Sequence, residues 1–150
     1  MSRLLLILNG PNLNLLGERE PHLYGHDTLD MINKRCEVRA RSHGLEVDCR
    51  QSNYEGALVD AVHEARRKAA AIIINPAGLS FYSVPLLDSL KTFDGPKIEV
   101  HLTNIHQRDS IYQKSLISLT ATAVICGLGA IGYELAVDAA AALLAKAKSP

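Results

Sequence analysis

Five apolar runs of strand length recur along the chain, and stretches with the spacing of helices separate most of them. Such an alternation is typical of a parallel sheet whose strands are joined by crossover helices. The pattern therefore predicts five parallel strands, at residues 4–8, 45–49, 71–74, 98–102 and 122–126.

The segments between the strands carry apolar residues three or four positions apart, as amphipathic helices do. These positions are Leu29, Ile32, Cys36 and Ala40 in one segment, Leu58, Val62, Ala65 and Ala69 in the next, and Leu135, Ala136, Ala139, Leu143 and Leu144 in a last helix at about 133–146. Gly44 is placed to end the first helix. No linker interrupts the chain, which predicts one α/β domain over residues 1–150, with a flavodoxin-like doubly wound five-stranded parallel sheet.

Charge and cysteine content narrow the possible partners. Sixteen Lys and Arg balance sixteen Asp and Glu without a long run of one sign, so a nucleic-acid partner is not expected. Cys36, Cys49 and Cys126 lack the spacing of zinc ligands, which predicts reduced thiols in a reducing compartment. The first apolar run is only five residues long, too short for a membrane span. We therefore expect a cytoplasmic protein with a small-molecule or protein partner.

Polar side chains follow four of the predicted strands, at the point where each strand ends. They are Asn9 and Asn12, then Gln51, Ser52 and Asn53, then Asn75, and finally His101, Thr103 and Asn104. Any one of them could simply form a turn or a helix cap. Because the carboxyl ends of parallel strands meet at one edge of a sheet, their repetition predicts a single small-molecule site there.

Two residue pairs in this region point to proton transfer. Tyr24 follows Arg19 by five residues in a long first loop, and a nearby guanidinium favours the phenolate form of tyrosine. Glu99 and His101 lie two apart on a strand and project to the same face, where a carboxylate can orient an imidazole and favour its protonated form. Each pair also has an ordinary structural interpretation, as a half-buried aromatic residue or a hydrogen-bonded histidine.

Two further features are assigned no chemistry. The segment GLGAIGY at 127–133 follows the last strand, and it is predicted as a glycine-dependent strand-to-helix turn, with only a weak case for phosphate binding. The remaining histidines lack the spacing of metal ligands, so no metal site is expected.

Five segments together resemble the type II 3-dehydroquinate dehydratases over nearly the whole chain. In order, they are NGPNLNLLGEREPHLYG, QSNYEG, INPAG, EVHLTN and GLGAIGY. The resemblance implies a flavodoxin-like fold, no cofactor or metal, and a homododecamer built as a tetramer of trimers. It also implies reversible loss of water from 3-dehydroquinate to 3-dehydroshikimate, in either aromatic amino acid biosynthesis through the shikimate pathway or quinate catabolism.

The resemblance also implies roles for individual residues. Tyr24 would remove the C2 proton as base, Arg19 would hold it as phenolate, and Asn12 would position a water for the enolate oxygen. His101, oriented by Glu99, would protonate the departing C1 hydroxyl as acid. Further positions that match the family's substrate-binding residues are Asn75, Leu102, Thr103 and Arg108, with Asp88 reaching into the site of a neighbouring subunit.

Three substrate-binding positions depart from the family's usual pattern, two of them at residues that meet the ring hydroxyls. Phe81 stands where a histidine is expected, Tyr112 where an arginine is expected, and Thr103 replaces a serine. Loss of polar contacts weakens a site built to bind hydroxyls. Three hypotheses stay open: a 3-dehydroquinate dehydratase, a paralogue that eliminates water from a different β-hydroxy ketone acid, and a non-catalytic binding protein.

Overall fold

The computed structural model describes residues 2–149. Its strands are β1 (Leu4–Asn9), β2 (Glu46–Gln51), β3 (Ala71–Asn75), β4 (Lys97–His101) and β5 (Ala123–Cys126). Its helices are α1 (Pro21–Tyr24), α2 (Leu29–Ser42), α3 (Glu55–Lys68), α4 (Val84–Lys91) and α5 (Ile131–Ala147), with short 3₁₀ turns between them. All five predicted strands are confirmed.

The strands form one sheet in the order β2-β1-β3-β4-β5, and every neighbouring pair is parallel. This is the flavodoxin-like order, in which the chain first moves outward from β1 to β2 and then returns to the other side. The reversal leaves a crevice beyond the carboxyl ends of β1 and β3. Asn9 of β1 pairs with Asn75 of β3 at that end of the ladder.

Each face of the sheet is covered by helices and buries its own apolar core. Helices α2 and α5 cover one face, where Ile7, Ile73 and Tyr133 are fully buried, and α3 and α4 cover the other around Ile72 and Ile74. The central strand β3 is buried along its whole length. Burial on both faces explains why β3 reads as a continuous apolar run rather than an alternating one.

Some predicted boundaries and faces differ from the structure. Strand β2 begins after Leu45 and continues through Arg50 and Gln51, because these two residues pair with Leu8 and Asn9 of β1. The α5 helix does not bury Leu135, which is 38% exposed. It instead packs on the sheet side through a face that contains Tyr133, Ala136, Val137 and Ala140.

Two predicted turn glycines adopt a left-handed backbone, and the three cysteines differ in burial. Gly44 follows α2 with a φ of 69°, as expected of a C-terminal stop. Gly127 has a φ of 90°, so the turn between β5 and α5 requires glycine as predicted. All three cysteines are free thiols, but only Cys36 is fully buried. Within residues 2–149, no helix combines the length and apolar character needed to cross a membrane.

Candidate active site

A pocket of about 220 Å³ opens beyond the carboxyl ends of β1, β3 and β4. It is smaller than the roughly 300–1,000 Å³ of sites for drug-sized ligands, which suits a small metabolite. Ten residues predicted for the site line it: Asn12, Arg19, Tyr24, Asn75, Phe81, His101, Leu102, Thr103, Arg108 and Tyr112. Of the strand-end residues, Asn12, Asn75, His101 and Thr103 therefore meet at one edge of the sheet.

Tyr24 ends the short helix α1 in the first loop and stands between two cations. The guanidinium carbon of Arg19 lies 5.1 Å from the centroid of the Tyr24 ring, and that of Arg108 lies 5.6 Å from it. Two guanidinium groups therefore lie close to the ring of the candidate base. The ring also borders a second, more open groove that shares Arg108 and Leu102 with the pocket.

His101 ends β4 and is held from behind by a buried carboxylate. The His101 Nε2 atom is hydrogen-bonded to Oε2 of Glu99, whose side chain is fully buried. The other oxygen, Oε1, accepts a 2.6 Å hydrogen bond from the Ser118 hydroxyl. Burial raises the pKa of Glu99, but the hydrogen bonds from His101 and Ser118 outweigh it, and the pKa lies below its ordinary value. A charged carboxylate therefore fixes the orientation of an imidazole that lines the pocket.

Asn75 is held by a chain of buried hydrogen bonds at the end of β3. Its Nδ2 donates to the Tyr133 hydroxyl at 2.9 Å, and that hydroxyl donates to Oδ1 of Asn9 at 2.6 Å. Oδ1 of Asn75 accepts from the backbone N–H of Ala77 at 3.1 Å. Both ends of the amide are thus fixed, and its second N–H is available to a ligand in the pocket.

The first loop is tied to the end of β2. The backbone N–H of Asn12 donates to Oδ1 of Asn53 at 2.9 Å, and Gln51 Nε2 donates to the same oxygen at 3.0 Å. Asn12 itself has a left-handed backbone with a φ of 71°. The strand-end pattern suggested that Gln51 and Asn53 line the pocket. They do not line it, but they support Asn12, which does.

One wall of the pocket is aromatic. The rings of Phe81 and Tyr112 meet edge to face with centroids 5.5 Å apart, and Phe81 lies roughly parallel to the imidazole of His101 at 6.4 Å. Arg108 lies over the Tyr112 ring at 4.0 Å. The Phe81 ring offers no hydrogen-bond donor or acceptor beside the candidate acid.

The arrangement combines a base, an acid and polar anchors around one small volume. A tyrosine between two guanidinium groups can accept a proton, and an imidazole backed by a carboxylate can donate one. Among residues 2–149, no three His, Cys, Asp or Glu side chains are close enough to hold a metal ion. The pocket is therefore suited to a proton-transfer reaction such as an elimination.

Comparison with known proteins gives the family. The sequence profile described as dehydroquinase class II matches residues 3–141. The chain belongs to this family. It is 53% identical to a 3-dehydroquinate dehydratase of Phenylobacterium zucineum, over 95% of this chain and 99% of that one. The enzyme of that name from Streptomyces avermitilis is 54% identical over 93% and 88%.

Solved structures agree with this assignment. A type II dehydroquinase from Propionibacterium acnes superimposes with a TM-score of 0.90 at 40% identity, and the match covers 95% of this chain and 98% of that one. The flavodoxin-like fold expected from the class II dehydroquinase resemblance is therefore confirmed.

Two predicted site residues of the dehydroquinase pattern do not line the pocket: Glu99, which is buried behind His101, and Asp88. Asp88 is on α4, with its side chain 66% exposed and its carboxylate 3.7 Å from the Lys91 ammonium. Position 88 therefore lies on the surface, away from the pocket of its own chain.

Two residues of the site were missed by sequence reasoning. Tyr133 was interpreted only as part of a turn, and Ser118 was not singled out. Both hydroxyls contact a predicted site residue from a distant segment. Tyr133 lies 58 positions after Asn75, and Ser118 lies 19 positions after Glu99. The sequence of the loop before β5 gives no signal for Ser118.

Proposed function

We propose that the protein is a 3-dehydroquinate dehydratase that removes water reversibly from 3-dehydroquinate to give 3-dehydroshikimate. One observation carries the proposal: a cation-flanked tyrosine and a carboxylate-backed imidazole line the same small pocket. Elimination of a hydroxyl beta to a ketone needs a base, a means of stabilising the enolate and an acid for the departing oxygen. Membership of the class II dehydroquinase family supports the choice of substrate.

In the proposed reaction, the Tyr24 phenolate removes a proton from C2 of the substrate, and the electrons move to the ketone oxygen at C3. Arg19 stabilises the phenolate before the transfer, and Asn12 positions a water that hydrogen-bonds the enolate oxygen. The enolate then expels the C1 hydroxyl, which leaves as water after taking a proton from His101. Return of the proton from Tyr24 to His101 completes the cycle. The protein supplies every acid and base in this scheme, so it uses no cofactor and no metal.

The remaining lining residues are proposed to hold the substrate. Asn75 can donate its second N–H to a ring oxygen, and the segment Leu102 to Thr103 lines the pocket and is proposed to bind a substrate carboxylate. Arg108 adds a positive charge that favours an anionic substrate.

The test follows the near-ultraviolet absorbance of the conjugated enone when purified protein meets 3-dehydroquinate. We expect wild-type turnover that Tyr24→Phe lowers by at least about 10²-fold, because general base catalysis contributes roughly 10²–10⁴-fold. Tyr82→Phe is the matched control, since that tyrosine is 67% exposed and lies outside the pocket lining. Equal rates for wild type and Tyr24→Phe would refute the mechanism, and no turnover by folded wild-type protein would refute the function and favour a non-catalytic binding role.

The aromatic wall favours a second candidate substrate for the same chemistry. Because Phe81 cannot hydrogen-bond a ring hydroxyl, the site suits a β-hydroxy ketone acid with fewer hydroxyls on that side. We expect Phe81→His to raise kcat/KM for 3-dehydroquinate, relative to an analogue without the C4 or C5 hydroxyl, by about tenfold. An unchanged ratio would exclude Phe81 as the cause of altered specificity.

We further propose a homododecamer, a tetramer of trimers, in which Asp88 of one subunit completes the site of another. Its exposure on α4 outside its own pocket supports this arrangement. Sedimentation of the wild type would test the assembly. Mixed oligomers of Asp88→Asn and Tyr24→Phe chains would regain activity only if sites are shared. Three free thiols also support our proposal that the protein acts in the reducing cytoplasm.

A further inference from the structure

The candidate acid rests on a hydrogen-bond chain that begins outside the pocket. Oε2 of Glu99 meets the His101 ring, and Oε1 of the same carboxylate accepts the Ser118 hydroxyl at 2.6 Å. We propose that Ser118 is a positioning residue for proton delivery, which keeps the Glu99 carboxylate charged and oriented beneath His101. This inference rests on the proposed function, since it concerns the step assigned to His101.

The carboxylate needs such a donor because Glu99 is fully buried on β4, between β3 and β5. A buried carboxylate without hydrogen bonds loses its hydration and tends to take up a proton. The groups that lower the pKa of Glu99 are His101, Ser118 and, more weakly, Ser115. The Ser115 hydroxyl is buried close enough to favour the charged carboxylate weakly, but within the described residues it does not reach any partner with proper hydrogen-bond geometry. Ser118 is therefore the principal neutral donor to this charge.

The loop that carries Ser118 is anchored on both sides. Ile117 is 1% exposed and belongs to the core beneath α3 and α4. The backbone N–H of Leu116 donates to the Ser80 carbonyl at 2.7 Å, and the N–H groups of Thr120 and Ala121 donate to Ile117 at 3.0 and 3.1 Å. These contacts hold the short 3₁₀ turn against the sheet, so the position of Ser118 is fixed by packing.

The hydroxyl of Ser118 does not serve its own turn. A serine that only shapes a loop usually bonds a backbone group within a few residues. Ser118 instead donates to a side chain on β4, 19 residues earlier in the chain. The residue is exposed to solvent on its outer side, so its hydroxyl lies between bulk water and the buried carboxylate to which it donates.

Loss of the Ser118 hydroxyl should change the pH dependence of activity in a predictable direction. Without the donor, the charged carboxylate is less favoured, and the protonated imidazole that pairs with it is less favoured in turn. The acid should then lose its proton at a lower pH. In the pH profile of kcat/KM, the basic limb should move toward acid while the acidic limb, set by the base, stays in place.

The test compares Ser118→Thr with Ser118→Val, two side chains of the same shape that differ in the hydroxyl. The additional methyl group of Val keeps water from replacing the lost donor, whereas Ser118→Ala would admit water. We expect Ser118→Thr to keep the wild-type profile. Ser118→Val should shift the basic limb by about one pH unit to lower pH, which lowers kcat/KM about tenfold above that limb.

A second readout does not depend on turnover. In protein labelled at the histidine ring nitrogens, the NMR titration of His101 in Ser118→Val should move in the same direction relative to Ser118→Thr. Coincident titrations and pH profiles for the two variants would overturn the proposal. Failure of the wild type on 3-dehydroquinate would instead count against the proposed function, and the titration would still decide the role of Ser118. If Ser118→Val does not fold, Ser118→Ala should show a smaller shift in the same direction, and no shift would overturn the proposal.

Discussion

Removal of one buried hydroxyl should destabilise the fold and loosen the substrate site together. Tyr133→Phe keeps the aromatic ring in the core but deletes the hydroxyl that joins Asn75 to Asn9 at 2.9 and 2.6 Å. Tyr133 is completely buried, so water cannot replace the lost group. Each buried polar atom left without its hydrogen-bond partner costs about 1–3 kcal/mol. Tyr133→Phe leaves two such atoms, Nδ2 of Asn75 and Oδ1 of Asn9. We therefore expect the free energy of unfolding to fall by about 2–6 kcal/mol.

The assay is urea unfolding followed by circular dichroism, because the chain has no tryptophan. Protein concentration is held constant, since assembly contributes to apparent stability. Tyr82→Phe is the control and should change the free energy by less than about 0.5 kcal/mol. We also expect KM to rise in Tyr133→Phe, because the Asn75 amide is no longer fixed. A loss below about 0.5 kcal/mol would refute this account, since the two amides would then satisfy one another without the tyrosine.

Two further predictions concern titratable groups away from the pocket. Hydrogen bonds from Arg39 and His43 lower the pKa of Asp138 to about 2. Its stabilising effect is therefore present above its unfolded pKa of about 4 and is lost as pH falls toward 2. The melting temperature of Asp138→Asn should lie below that of the wild type at pH 5, and the two should converge near pH 2; a constant difference would contradict this. Burial raises the pKa values of Cys36 and Cys49 to about 12, so both should react with a thiol reagent at pH 8 far more slowly in the native protein than in urea, and equal rates would contradict this.

Much of the fold could be predicted because its central strands are buried on both faces. The apolar side chains of AIIIN at β3 point to both faces of the sheet and are buried between two layers of helices. That burial gives a continuous apolar run that is clear in the sequence. The ends of strands were less predictable. Arg50 and Gln51 belong to β2 because the β1 ladder continues beside them, and a hydrogen-bond register has no counterpart in hydrophobicity.

The orientation of the last helix was the least predictable feature of the fold. From Ile131 to Ala147, α5 is rich in Ala and Leu on every side, so the sequence shows no narrow apolar face. Its buried face is chosen by the fit of Tyr133 and Val137 against the sheet, while the larger Leu135 stays partly exposed. Shape and the hydrogen bonds of Tyr133 therefore decide the packing, where side-chain hydrophobicity alone does not.

Some residues of the candidate site could likewise be predicted from the local sequence, and others could not. Tyr24 and His101 could be found because each lies in a short segment whose chemistry is visible next to a strand end or in a long loop. The groups that hold the site's side chains are different: Ser118 reaches Glu99, and Tyr133 reaches Asn75, only because separate segments pack against one sheet edge. A chain could thus keep Tyr24 and His101 while losing Ser118, and its sequence would still resemble an active enzyme. The contacts of Ser118 and Tyr133 are therefore visible only in the folded structure, which brings their segments to the same sheet edge.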